Sequence, residues 1–185
     1  MKILFIAPKF EGGIGGHAAR VAQKLNQNGF EVKLMKITPI PINKIRNPSF
    51  AIFSTIKSIV SKESFDIVHA FNVPSAFAMK YCNAKKKVLS VHGMYSEQVS
   101  ALHSDTTANI AQITESKVLK WADKLTTDSL MVKQQYKEKL GIDFDFIAMT
   151  WFRGFNFNSI SFFVLHDYVL VLFDFLIFSF LYATY

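Results

Sequence analysis

Short, fully apolar runs alternate along most of the chain with segments whose apolar residues recur every three or four positions. The first pattern predicts strands buried on both faces, and the second predicts amphipathic helices. The opening run covers residues 2–7 and stops at Pro8. Ala18, Val21, Ala22 and Leu25 then mark one face of a helix over residues 17–28, with Gly29 where a C-terminal cap belongs. Between run and helix lies the glycine loop Gly12-Gly-Ile-Gly-Gly16. Further strands are predicted over 31–37, 65–70, 87–91, 124–127 and 144–147, and further helices over 51–61, 75–82, 108–122 and 129–140. Pro39 and Pro41 end the second strand, Ser75 reads as a helix N-cap, Gly141 closes the last helix, and the polar stretch 94–107 reads as a long loop. Strands alternating with helices define an α/β protein with a Rossmann-like, doubly wound parallel sheet.

The rhythm stops at Ala148, and the composition changes with it. Residues 1–145 hold 18 Lys and two Arg against 12 acids, whereas residues 146–185 hold Arg153 against Asp167 and Asp174, no Lys, and ten of the 19 Phe. The expected division is therefore a folded domain over 1–147 and a hydrophobic, Phe- and Leu-rich tail over 148–185. Three readings of that tail stay open: a shifted reading frame or premature end, a membrane span over residues 160–182, and a divergent helix closing the domain. A span of 23 residues is long enough to cross. Asp167 and Asp174 would each cost about 2.5 to 3.5 kcal/mol near its centre.

With 50% hydrophobic residues in 185 the chain can build a core, so disorder is excluded, and the lone Cys82 excludes a disulfide framework. The first apolar run is too short for a signal peptide. A cytoplasmic body is expected. Its basic surface could hold it to anionic lipid on the cytoplasmic face of a membrane, at about 1 kcal/mol per residue. Nucleic acid is not an expected partner, because no aromatic residues interleave with the lysines as a stacking platform requires.

Candidate chemistry gathers after the strands. Gly13-Ile-Gly15-Gly-His-Ala18 fits the dinucleotide pattern Gly-x-Gly-x-x-Gly/Ala in form, but five residues separate it from the strand and no acid ends the second strand at Lys36-Ile-Thr38. A glycine-rich turn at a helix start still offers N–H groups and a positive dipole end to a phosphate or a sugar hydroxyl; the alternative is a plain strand-to-helix turn. His92 follows a buried strand and precedes Gly93, at the edge where open α/β sheets bind ligands. Asn72 stands beyond the third strand, placed to reach a hydroxyl, while His69 reads as a packing residue inside the strand. His17, beside the loop, and His103 carry weaker signals. The five His and Cys82 lack the spacing of a zinc site, so no metal is expected, and no Gly-x-Ser-x-Gly elbow occurs.

Taken in order, Gly12-Gly-Ile-Gly-Gly-His17 with Gly29-Phe-Glu-Val32, Phe65-Asp-Ile-Val-His-Ala70, Val91-His92-Gly93 and Trp121-Ala-Asp-Lys-Leu-Thr-Thr-Asp-Ser129 resemble the N-terminal half of a GT-B fold glycosyltransferase of the retaining family-4 type. The resemblance covers residues 1–147. It implies an acceptor-side domain whose glycine loop, through Gly15 and Gly16, approaches a nucleotide-sugar donor across a cleft; Gly13, His17 and Asn72 are substrate-side candidates by their positions. It implies that His92 contacts the donor sugar and stabilises an oxocarbenium-like transition state through a hydroxyl hydrogen bond. No cofactor, metal or protein nucleophile is implied; the partners are a nucleotide-sugar and a glycan or lipid acceptor. In such relatives a second Rossmann domain with a Glu-x7-Glu motif binds the donor, whereas here 38 residues without Glu follow Ile147. The expectation is a chain truncated before that domain, inactive alone or working with a separately encoded donor-binding half. The alternative is a non-catalytic, membrane-attached carbohydrate- or lipid-binding module; a dinucleotide-binding domain comes third.

Overall fold

A computed structural model of the chain describes residues 1–101 and 105–147. The expected tail over 148–185 and His103 lie outside the described residues. Six strands, β1 (Lys2–Ile6), β2 (Glu31–Met35), β3 (Ser64–Ala70), β4 (Asn83–Ser90), β5 (Lys124–Thr127) and β6 (Asp145–Phe146), form one sheet in the order β2-β1-β3-β4-β5-β6. Every neighbouring pair is parallel. The connections are α1 (Gly13–Gln27), α2 (Asn43–Val60), α3 (Val73–Tyr81), α4 (Tyr95–Ser100), α5 (Asp105–Leu119) and α6 (Leu130–Leu140). The predicted Rossmann-like α/β sheet is present.

The chain steps from β1 outward to β2 and then back across to β3, and right-handed crossovers place α1 and the later helices on opposite faces. Two buried clusters record this. Ala18, Val21, Ala22 and Leu25 of α1 pack on Ile3, Phe5, Val32, Ile67 and Val88 of the sheet. On the other side Phe50 of α2, Met79 of α3, Val118 of α5 and Tyr136 of α6 pack on Leu4, Ile6, Val68 and Leu89. The reversal of winding falls between β1 and β3, so their carboxyl ends open a crevice at the point where such sheets bind ligands.

Several boundaries differ from the predicted ones for local reasons. Helix α1 starts at Gly13 with Gly12 as its N-cap, so Gly13, Gly15 and Gly16 belong to its first turn and not to a preceding loop. Helix α2 begins eight residues before the predicted start, although Pro48 removes one N–H from its ladder; Ser49 Oγ donates 3.0 Å to the Arg46 carbonyl beside the gap. Strand β4 begins at Asn83, because Lys85 and Lys87 carry their charges outward to Asp66 and the Lys80 carbonyl at the strand's amino end. Part of the expected long loop is the short helix α4. Ser75 is not the cap of α3: Asn72 is, and Ser75 lies in the first turn.

Candidate functional site

Parallel register builds the site. Ser90 of β4 stands opposite Thr126 of β5, so His92 and Asp128, each two residues farther on, emerge side by side at the carboxyl edge. His92 Nδ1 lies 2.9 Å from Asp128 Oδ2, with both side chains mostly buried, 12% and 17% exposed. The oxygen stands off the axis of the ring N–H, so this is a close electrostatic contact and not an aligned hydrogen bond. The other ring nitrogen, Nε2, is buried and has no hydrogen-bond partner among the described residues.

Beneath the pair runs a polar chain on the α1 face. His69 Nε2 and Ser90 Oγ are 2.6 Å apart, and Ser90 Oγ and Thr126 Oγ1 are also 2.6 Å apart. His69 itself packs between Phe5, edge-on at 5.5 Å, and Phe71, stacked at 4.1 Å. His17 of α1 is buried close to His92 and Asp128. Burial, then Arg20 and His92, push the His17 imidazole down to about 4, against the pull of Asp128. Burial, then the imidazoles of His92 and His17, push His69 down to about 3. Both rings are therefore neutral near pH 7. Burial works to raise the Asp128 carboxyl, but its contact with His92 and the neighbouring charge outweigh that and hold it below the usual carboxylate range. Among the described residues no group of His, Cys, Asp or Glu has the arrangement to hold a metal.

The N-terminus of α1 completes the edge. Gly12 and Gly13 adopt positive φ values of 58° and 44°, conformations open to glycine at little cost, and Gly16 N donates 2.8 Å to the Gly12 carbonyl. Gly15 is required by space: a Cβ there would lie 1.7 Å from the carbonyl oxygen of Lys9. The loop after β1 thus rests directly on the first turn of α1. That contact holds the free N–H groups of the helix start and the positive dipole end at the same edge as His92. Asn72 is less available than its position suggests, since its Oδ1 accepts from Ser75 N at 3.0 Å and Ser75 Oγ at 2.7 Å. Only its amide nitrogen is left to reach a ligand.

Two residues outside the expected set fix the loop that carries Gly93. Glu115 of α5 is fully buried; its Oε1 accepts from Tyr95 N at 2.6 Å and its Oε2 from Ser96 N at 3.1 Å, capping the start of α4. Tyr136 donates to Glu115 Oε1 and also lies 3.4 Å from the Gly93 carbonyl. Burial and the adjacent Glu115 carboxylate push the Tyr136 phenol far up, so it remains a donor. Its only sequence signal is spacing: Glu115 falls with Ala111, Val118 and Leu119 on the apolar face of α5, where a carboxylate must have partners. Asp128 is the third residue that reasoning from sequence missed as a site. It follows the fifth strand just as His92 follows the fourth.

A separate apolar groove of about 540 Å3 lies between α2, α3, α4 and α5, lined by Ile52, Ile56, Phe77, Tyr95, Val99 and Ile110 among others. Neither His17, His69, His92 nor Asp128 lines it.

The six-stranded parallel Rossmann-like sheet, together with the family match over it, supports an N-terminal domain of the GT-B type. The family model described as Glycosyltransferase Family 4 matches residues 11–149, and the chain belongs to that family. No curated protein matches it. Family membership brings nucleotide-sugar donors and their acceptors as the general class of partner. Among the described residues no helix is long and apolar enough to cross a membrane.

Proposed function

We propose that residues 1–147 form the acceptor-side domain of a sugar transferase, with His92 as the side chain that meets the donor sugar. The observation that carries this reading is the buried Nε2 of His92, left without a partner among the described residues at the edge where this sheet type holds ligands. A sugar hydroxyl donating to that nitrogen satisfies it and orients the ring for loss of the leaving group. The start of α1, through the N–H groups of Gly13 and Gly15 with Gly16 closing the first turn, supplies a positive dipole end toward donor phosphate. His17 is neutral and lies behind His92, where it shapes the wall, and the Asn72 amide reaches acceptor hydroxyls. In this reading turnover calls for a second, donor-holding domain. A cytoplasmic location, where nucleotide-sugars are at hand, suits this role.

A second reading, a non-catalytic lipid- or carbohydrate-binding module at a membrane, is favoured by the apolar groove, whose rim residues Ile52, Ile56 and Ile110 are more than half exposed. Saturation-transfer NMR on the full chain separates the two. The probes are glucose, galactose, mannose and N-acetylglucosamine, free and nucleotide-linked, and dodecylphosphocholine as a lipid mimic. The transferase reading expects saturation of ring protons in at least one sugar and its loss in His92→Ala. Saturation of the detergent alone, with every sugar silent, overturns it in favour of the module.

A further inference from the structure

We infer that Asp128 is a positioning residue for His92: its carboxylate fixes the imidazole proton on Nδ1 and so keeps Nε2 an acceptor for a sugar hydroxyl. This rests on the proposed role of His92 for its purpose, though not for its test. A carboxylate oxygen can only accept, and at 2.9 Å from Nδ1 it would face a lone pair if the proton sat on Nε2. The tautomer of a histidine is set by what its second nitrogen meets. Here that partner is built into the sheet and does not depend on a loop. Asp128 leaves β5 in register with His92 leaving β4. The next residue, Ser129, is locked as the N-cap of α6, its Oγ accepting from Val132 N at 3.3 Å and its own N–H directed at Thr127 Oγ1 at 3.4 Å.

The alternative tautomer would put a donor on Nε2. A donor there could meet only a hydroxyl's lone pair and would withdraw electron density from a sugar whose anomeric carbon is becoming positive. An acceptor does the reverse: it leans on the hydroxyl proton and raises electron density on the ring. Among the described residues no other side chain makes a hydrogen bond or charge contact with Nδ1. Asp128 is then the group that decides the polarity of the contact, while His92 makes it.

Long-range 1H–15N correlation spectra of the full chain test this, with the His92 ring assigned by its disappearance in His92→Gln. The spectra are taken at a pH where their own titration shows the ring neutral. The expected result is His92 predominantly as the Nδ1–H tautomer, with the ratio falling about tenfold in Asp128→Asn, on the scale of a close electrostatic contact to a half-buried charge, and largely restored in Asp128→Glu. A structural role alone would not move that ratio in a variant whose amide spectrum is otherwise unchanged. An Nε2–H ring in the unaltered protein, or an unchanged ratio in Asp128→Asn, overturns the inference. Sugar saturation that is absent while the tautomer result holds would instead remove the transferase reading and leave the pairing intact.

Discussion

Two neighbouring glycines of α1 should respond to the same substitution with opposite signs. A methyl group at Gly15 would sit 1.7 Å from the Lys9 carbonyl oxygen and 2.8 Å from its carbon, so backbone must retreat by more than 1 Å before any ordinary contact is reached. The obstacle is main chain, which cannot swing aside as a side chain does. Overpacking of this kind costs about 1 to 3 kcal/mol, which for a chain of this size lowers Tm by roughly 3 to 10 °C. At Gly16 the nearest atom is 3.4 Å away, an ordinary contact, and φ is not positive. There alanine gains helix propensity and loses unfolded-state entropy, a stabilisation of up to about 1 kcal/mol. Urea unfolding of Gly15→Ala and Gly16→Ala, followed by circular dichroism, measures both. Equal midpoints for the two variants would refute the close seating of the 8–11 loop on the helix start, and with it the geometry of the crevice.

Other perturbations reach different parts of the site. Glu115→Gln replaces one acceptor oxygen with a donor facing the N–H of Ser96 or Tyr95, and should cost about 2 to 3 kcal/mol in urea unfolding; Glu115→Gln with undiminished amide-exchange protection at Tyr95 and Ser96 would contradict the capping role. Asn72→Ala removes the cap of α3 and strands the buried Ser75 hydroxyl, for a loss of about 1 to 2 kcal/mol by the same measurement. Stability should also depend on pH through the buried imidazoles. His17 and His69 stay neutral down to about 4 and about 3 in the folded chain, but take up protons near 6.5 once unfolded. The unfolded state therefore binds more protons below pH 6.5, and stability falls from there to about pH 4 for His17 and on to about pH 3 for His69, with slope up to about 1.4 kcal/mol per unit for each group. His17→Asn should flatten the upper part of that decline; an unchanged slope between pH 6 and 4.5 would show that His17 does not titrate differently on unfolding.

The sheet was legible because its strands are continuous apolar runs, as residues 2–6 and 65–70 show, and because caps such as Ser129 and Gly141 act locally. What escaped depends on partners distant in sequence. Apolar spacing starts the second helix at residue 51, whereas α2 begins at Asn43 and runs through Pro48 with Ser49 Oγ at the Arg46 carbonyl; it starts the fourth strand at residue 87, whereas pairing with β3 carries β4 back to Asn83. Residues 12–16 read as a loop because four glycines in five residues defeat helix propensity, yet the packing of Ala18 and Val21 on the sheet carries the helix back to Gly13. The edge position of His92 followed from strand order alone. Its pairing with Asp128 needed the β4–β5 register, which no local pattern specifies, and the Glu115–Tyr136 clamp joins residues 21 apart.

Chemical-shift mapping of the 15N-labelled chain with a panel of UDP- and GDP-sugars tests the central claim most directly. The account predicts that the largest shifts fall together on Gly13, Gly15, Gly16, His92 and Gly93, at the carboxyl edge of β1, β3 and β4. Shifts confined to the apolar groove of α2 and α5, or none with any sugar nucleotide, would contradict it.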